Sequence, residues 1–206
     1  MKEQLNSKDL GNHMKRVCVF CGSSPGGRPE YVQAAKELGR VLVSKNLGLV
    51  YGGASVGMMG AIADTVLREG GEVIGVIPRF FVDKKVAHER LSDLRIVGSM
   101  HERKGLMAEL ADGFIALPGG LGTFEEFFEV VTWAQLSMHQ KPCGLLNVCQ
   151  YYQRLVDFLD HAVSERLVRV EHRSMILVDK SPKALLKKFE AYQPPVVDKW
   201  LDRRNE

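Results

Sequence analysis

Short apolar runs alternate along the chain with longer stretches in which apolar residues recur at helical spacing. Residues 17–21 form the first apolar run, and apolar side chains then recur every three or four positions from 30 to 45, the spacing of one helix face. Further predicted strands cover residues 47–51, 72–77, 94–97, 114–117, 143–146 and 175–178. Further predicted helices cover residues 58–69, 101–110, 123–137, 151–165 and 181–192. The alternation predicts an α/β fold, a single Rossmann-like doubly wound parallel sheet with helices on both faces.

The ends of the chain differ in character from this alternating part. Residues 1–14 are polar and lack the apolar core of a signal peptide, so we predict a disordered N-terminal extension. One catalytic domain is predicted over 15–192, and the prolines that follow open a C-terminal tail, 193–206. Because no apolar stretch approaches the roughly 18 residues of a membrane span, we expect a cytoplasmic protein.

Composition and charge narrow the classes of partner. The 206 residues are 45% hydrophobic and 26% charged, with a net charge of +3 and only small basic clusters, so we expect neither nucleic acid nor a membrane as partner. Cys18 and Cys21 have the spacing of a redox or zinc pair. They fall in a predicted strand, where residues three apart point to opposite faces, so we predict buried structural thiols.

The most informative segment joins the predicted strand 114–117 to the helix after it. Three glycines follow Pro118, then Thr123 as a predicted helix N-cap, with Glu125 and Glu126 in the first turn. Glycine lets a ligand approach the backbone closely, and N–H groups at a helix N-terminus attract phosphate. The segment is neither a phosphate-binding P-loop nor a dinucleotide fingerprint, since Glu125 stands where a third glycine belongs. Tight strand-to-helix turns also use glycine for geometry alone.

Carboxylates beside a phosphate site indicate cleavage of a nucleotide or sugar phosphate as well as binding. In open parallel sheets ligands bind beyond the carboxyl ends of the strands, so the loops 21–24, 52–57 and 118–123 are predicted to converge. Glu125 and Glu126 could alternatively serve only to complement a helix dipole. Their helix is apolar on several sides, which predicts burial in the core or against a partner subunit.

Residues 100–104, Met-His-Glu-Arg-Lys, open another predicted helix after a strand. Arg103 offers a planar fork of donors suited to phosphate or to a carboxylate, but its proton does not leave near neutral pH. A solvated basic patch is the alternative interpretation. The chain contains no His-Glu-x-x-His, so a zinc protease is not supported.

From about Arg16 to Tyr192 the chain resembles the LOG ("lonely guy") family of cytokinin riboside 5′-monophosphate phosphoribohydrolases. The resemblance rests on residues 20–24, 51–60, 100–104, 118–126, 132–136 and 141–147. Ala54 departs from the pattern, since glycine is expected there in many relatives. Members have often carried the label lysine decarboxylase, a chemistry that needs pyridoxal phosphate and a Schiff-base lysine. Nothing in the sequence supports that label.

The resemblance implies hydrolysis of the N-glycosidic bond of N6-modified adenosine 5′-monophosphates, by a homodimer without a metal or other cofactor. It places the catalytic pair on Arg103 and Glu126. Predicted substrate contacts are Ser23, Gly53, Glu89, Lys104, Gly119, Gly120, Leu121, Gly122, Thr123, Glu125 and Thr132. Two alternatives remain open, an AMP nucleosidase and a non-catalytic nucleotide- or molybdenum-cofactor-binding protein.

Overall fold

Seven parallel strands form one sheet in the computed structural model, which describes residues 14–91 and 93–195. The strands are β1 (Arg16–Phe20), β2 (Gly48–Tyr51), β3 (Val73–Pro78), β4 (Asp93–Val97), β5 (Gly113–Ala116), β6 (Cys143–Leu146) and β7 (Ile176–Asp179). Their order across the sheet is β4-β3-β2-β1-β5-β6-β7. Neighbouring strands are parallel throughout, for example Val17 opposite Leu49 and Gly113. The predicted fold class is confirmed.

Helices connect the strands as crossovers. They are α1 (Pro29–Ser44), α2 (Gly57–Arg68), α3 (Arg79–Asp83), α4 (Met100–Leu110), α5 (Leu121–Gln135), α6 (Gln153–Ser164), α7 (Val170–Ser174) and α8 (Pro182–Glu190). A short 3₁₀ helix, Val148–Gln150, follows β6. The predicted strands and long helices agree with these bounds within two residues. The sequence analysis missed α3 and α7, because five residues are too few for helical periodicity to be visible.

The sheet separates two hydrophobic cores, because successive side chains of a strand point to opposite faces. One core joins alternate residues of β1 to α1, α2 and α8, and the other joins the remaining residues of β1 to α4, α5 and α6. Cys18 and Cys21 lie in different cores, as predicted. Burial raises the pKa of both thiols, and that of Cys143 to about 12, so these sulfurs are protonated and unreactive.

The termini are only partly described. Most of the predicted extension 1–14 and most of the tail 193–206 lie outside the described residues, so the predicted domain boundaries remain predictions. Within residues 14–91 and 93–195, no helix is long and apolar enough to cross a membrane.

The order of the strands reverses at β1, whose neighbours are β2 on one side and β5 on the other. At this switch point the connections leave for opposite faces, and a crevice opens beyond the carboxyl ends of the strands. Here the loops after β1 and β5 meet, since the Gly22 N–H donates to the Pro118 carbonyl at 3.1 Å. The end of the loop after β2, where α2 begins, joins them, because the Met58 N–H donates to the Gly22 carbonyl at 3.2 Å. The predicted convergence of the three loops is confirmed.

Candidate active site

A cavity of about 690 Å³ lies at this switch point. Its walls come from the ends of β1 and β3, the loops after β1 and β2, helices α2, α3, α4 and α5, and the segment after α3. Of the predicted site residues, those lining it are Ser23, Arg103, Gly120, Leu121, Gly122, Thr123 and Glu126. Its volume is in the range of sites for small-molecule ligands and cofactors.

The glycine loop ends earlier than predicted. Gly120 is the N-cap of α5, and its carbonyl accepts from the Phe124 N–H at 3.1 Å. The predicted N-cap at Thr123 is therefore wrong, and Glu125 and Glu126 lie in the second turn, not the first. Glycine tolerates the capping position almost as well as a hydroxyl residue. The Thr123 side chain instead packs on Gly119, where a Cβ would overlap it.

The start of α5 provides free N–H groups. The first residues of an α-helix have no intrahelical acceptor for their N–H groups, and here these residues, 121 to 123, all line the cavity. The helix dipole adds a partial positive charge at the same point. This end of the cavity is thus suited to a phosphate group.

Arg103 on α4 and Glu126 on α5 form a buried ion pair in the cavity wall. The Arg103 Nη1 donates to a carboxylate oxygen of Glu126, and the Arg103 Nε donates to the Val76 carbonyl at 3.1 Å. The two residues are 7% and 8% exposed. Burial raises the pKa of Glu126, and the positive charge of Arg103 partly offsets that rise. The guanidinium is therefore held on two sides, and it orients the carboxylate beside the cavity.

Gly52 makes room for this arginine. A Cβ at residue 52 would overlap the Nη2 of Arg103. The sequence analysis assigned Gly52 to a glycine turn and missed this function. The signal available was the glycine pair at the end of a predicted strand, but the identity of the side chain that packs there depends on tertiary structure.

Lys104 does not line the cavity. Its Nζ donates to the carboxylate of Glu125 and, at 3.1 Å, to that of Glu129, so that it joins α4 to α5. Burial disfavours the charged form of Lys104, but the two carboxylates outweigh it and raise the pKa. In the single chain, Lys104 and Glu125 contact each other and are not part of the cavity lining.

The remaining predicted contacts also lie off the cavity wall of the single chain. Gly53 has a φ of +75°, which favours glycine, and shapes the loop after β2. Glu89 is exposed in a turn. The exposed Thr132 donates its hydroxyl to the Phe128 carbonyl at 2.7 Å. Gly119 contacts the Thr123 side chain. These four remain predictions as substrate contacts.

An apolar wall forms another part of the cavity. Its side chains are Val56, Met59, Ile77, Phe81, Val86 and Met100. The sequence analysis missed this wall because α3, which carries Phe81, was not predicted. The apolar pair Phe80-Phe81, separated by one residue from the strand-ending Pro78, was the one signal in the sequence.

The segment of residues 86–88, which carries part of this wall, is hydrogen-bonded to the loop after β2. Ala54 and Ala87 form an antiparallel bridge, and the His88 N–H donates to the Gly53 carbonyl at 2.9 Å. The buried His88 ring also pairs through Nε2 with Asp64 of α2 at 2.9 Å. These contacts fix the apolar wall relative to the rest of the cavity.

The sequence comparisons identify the family. A probable cytokinin riboside 5′-monophosphate phosphoribohydrolase, LOGL6 of Oryza sativa subsp. japonica, is 49% identical over 185 residues, 90% of this chain and 74% of the relative. The cytokinin riboside 5′-monophosphate phosphoribohydrolase LOG1 of Arabidopsis thaliana is 49% identical over 186 residues, 90% of this chain and 87% of the relative. The chain belongs to the LOG family. Residues 59–189 also match a family model described as "Possible lysine decarboxylase".

The decarboxylase description does not fit this LOG-family cavity. Pyridoxal phosphate chemistry requires a lysine that forms a Schiff base with the cofactor. Among the described residues, no lysine lines the cavity, and the neighbouring Lys104 is engaged by two carboxylates. Within the same residues, no group of three His, Cys, Asp or Glu side chains could hold a metal ion.

Solved structures share the fold of this LOG-family chain. The molybdenum cofactor binding protein from the phototrophic bacterium Rippkaea orientalis matches with a TM-score of 0.65 at 20% identity, over 86% of this chain and 96% of that one. The molybdenum cofactor carrier protein from Chlamydomonas reinhardtii gives a TM-score of 0.62 at 20% identity, over 86% and 99%. At this identity the likeness concerns the fold alone.

Proposed function

We propose that the protein hydrolyses the N-glycosidic bond of N6-modified adenosine 5′-monophosphates, that is, of cytokinin riboside monophosphates. Water adds across the bond, and the products are the free base and ribose 5-phosphate. The observation that carries the proposal is the buried Arg103–Glu126 pair in the cavity wall beside the N-terminus of α5. The names of the relatives at 49% identity support the same reaction.

The chemistry assigns a role to each part of the site. Positive charge develops on the ribose as the base leaves C1′, and a carboxylate beside C1′ stabilises it or activates the attacking water. Glu126 is that carboxylate, and Arg103 orients it. The N–H groups at the start of α5 hold the 5′-phosphate. Binding of this remote group helps to position C1′ for reaction.

The apolar wall supports a substituted adenine as substrate. Met59, Phe81 and Val86 offer hydrocarbon surface to the cavity. An apolar N6 substituent that enters this region leaves water, which favours binding by about 25 cal/mol for each Å² buried. Unmodified AMP would leave that surface uncovered.

A non-catalytic carrier is the weaker candidate. A protein that only binds an anion gains little from a carboxylate at the cavity wall, and Glu126 has only a small exposed fraction. Burying a charge pair is costly, which favours a role in chemistry. We further propose that the protein is a cytoplasmic homodimer whose partner is a small nucleotide, not nucleic acid or a membrane.

Incubation of the purified protein with N6-isopentenyladenosine monophosphate and, separately, with AMP tests the reaction. Free base and ribose 5-phosphate would be measured by chromatography. Preferential release of base from the prenylated nucleotide is the expected result. Release from AMP alone would make the protein an AMP nucleosidase, and binding without release from either would favour the carrier.

A further inference from the structure

The glycine loop is held by three hydrogen bonds to consecutive carbonyl groups. The Tyr152 hydroxyl donates to the Leu117 carbonyl at 2.6 Å, and the Gly22 N–H donates to the Pro118 carbonyl at 3.1 Å. The Tyr151 hydroxyl donates to the Gly119 carbonyl at 2.5 Å. Two of the three donors are thus adjacent tyrosines, far from the loop in sequence.

The turn after β6 delivers both hydroxyl groups, with a strained backbone. Cys149 and Gln150 have φ values of 49° and 60°, a region that side chains other than glycine, asparagine and aspartate rarely occupy. The Asn147 side chain fixes the end of the turn by accepting from the Tyr152 N–H at 2.8 Å. Strain of this kind persists where the surrounding structure requires it and is concentrated near functional sites.

The Tyr151 hydrogen bond sets the direction of an N–H group at the cavity. A peptide unit is planar and trans, so its C=O and N–H point in opposite directions. Because the Tyr151 hydroxyl binds the Gly119 carbonyl on one side of this peptide unit, the Gly120 N–H points to the opposite side. Gly120 lines the cavity. This peptide unit joins Gly119 to Gly120, and without the hydrogen bond the two glycines would allow it to rotate.

We propose that Tyr151 is a positioning residue for the phosphate subsite, holding the Gly119–Gly120 peptide so that the Gly120 N–H adds to the free N–H groups at the start of α5. The inference rests on the proposed function only in assuming that a nucleoside 5′-phosphate binds in this cavity. Tyr151 is 39% exposed, whereas Tyr152 is buried. The first therefore orients the loop, and the second chiefly stabilises it.

Replacement of one hydroxyl group tests this inference. Calorimetric titration would compare the binding of AMP and of adenosine to the wild type and to Tyr151→Phe. We expect AMP to bind about tenfold more weakly to the variant, since only part of one hydrogen bond to a charged group is lost. Adenosine, which lacks the phosphate, should bind both proteins within about twofold by the same reasoning.

Two further variants separate positioning from stability. Tyr152→Phe should lower the unfolding temperature by several degrees, because it leaves the buried Leu117 carbonyl without a donor, whereas Tyr151→Phe should not. Tyr192→Phe, the same change away from the cavity, should alter neither temperature nor affinity. Unchanged AMP binding by Tyr151→Phe, or equal losses for AMP and adenosine, would overturn the inference. A wild type that binds AMP but releases no base from N6-isopentenyladenosine monophosphate would refute the proposed reaction and leave this inference standing.

Discussion

The Arg103–Glu126 pair is an expensive arrangement for a protein of this size. Moving two charges out of water costs several kcal/mol for each ion, and their attraction regains that only when the geometry is good. Here the arginine also donates to the Val76 carbonyl, and glycine at residue 52 leaves space for it. An apolar pair would fill the same volume at lower cost. The energetic balance favours a catalytic role for the pair.

Glu126→Gln tests the carboxylate with almost no change in volume. Turnover should fall by about 10²–10⁴-fold, the range for loss of a general acid–base group, while AMP still binds at the start of α5. Initial rates and calorimetric titration would measure the two effects. Glu109→Gln, an exposed change on α4, is the control. Near-normal turnover of Glu126→Gln would remove its assigned role and make Glu125 the next candidate.

Gly52→Ala changes the site without touching a charge. The added Cβ would overlap the Nη2 of Arg103 and the end of the Met59 side chain, so the guanidinium must shift from its position beside Glu126. A misplacement of about 1 Å costs on the order of 10²-fold in rate, so we expect a comparable loss of kcat. Gly105→Ala, on the same helix as Arg103 and with open space around the new Cβ, is the matched control. Equal kcat values for both variants would contradict this role of Gly52.

The raised pKa of Glu126 also makes a prediction about stability. A carboxyl group whose pKa is higher in the folded state stabilises the protein below its unfolded pKa, and that contribution is lost as pH rises through the folded pKa. Glu126→Gln removes this titration. Its free energy of unfolding, relative to the wild type, should therefore increase from pH 4 to pH 7 in urea denaturation. A constant difference would mean that burial does not raise the pKa of Glu126.

Residue identities in the site were predictable, but their partners were not. Arg103 and Glu126 followed from the family resemblance, and the structure places both at the cavity. Their ion pair joins helices whose relative position depends on the crossing of α4 and α5 over the sheet, which no local pattern encodes. The same holds for Gly52 and for the hydroxyl groups of Tyr151 and Tyr152.

At the scale of elements, α4 and α5 act as one unit. The buried Lys104 of α4 pairs with Glu125 and Glu129 of α5, next to the Arg103–Glu126 pair. This second set of ion pairs joins the two helices that carry the proposed catalytic pair. Glu125 has a half-exposed side chain, so solvent screens part of that attraction.

Lys104→Met distinguishes a helix tie from a substrate contact. If Lys104 only joins α4 to α5, its loss should lower the free energy of unfolding by about 1–2 kcal/mol. This is less than for a fully buried pair, because Glu125 is partly solvated. Urea denaturation would measure this effect. Lys188→Met, which removes an exposed ion pair with Asp179, is the control and should cost less. Unchanged stability with a raised KM would instead assign Lys104 to the substrate.

The boundaries of α5 show how far local signals reach. Thr123 is a strong N-cap residue by type, yet the helix begins at Leu121, because Gly120 adopts an extended conformation and starts the hydrogen-bond ladder. The threonine then packs against Gly119. Tertiary packing of the glycine loop thus outweighed the local preference. Long periodic helices such as α1 were predicted to within one residue because their own apolar stripe specifies them.

At the scale of the whole molecule, the fold class was predictable because strands buried on both faces are short and continuously apolar. The order of the strands was not part of that pattern. It is set by which crossovers pack on which face, and the reversal at β1 brings together loops that are up to about a hundred residues apart. The position of the site follows from this reversal.

The outer surface of α5 leads to the last prediction, a homodimer. The helix buries one side against the sheet, while Leu136 and Met138 at its end are 44% and 67% exposed and Phe128 and Trp133 are only partly covered. Exposed apolar surface of this kind marks an interface, and a two-fold pairing covers it twice. Light scattering at micromolar concentration should therefore give about twice the 23.0 kDa of the chain.

Leu136→Glu with Met138→Glu should return the mass to that of one chain. Leu167→Glu changes an exposed leucine in the loop after α6 and should leave the dimer intact. A wild-type mass near 23.0 kDa would rule out the homodimer, and a dimer that persists in the double variant would place the interface elsewhere.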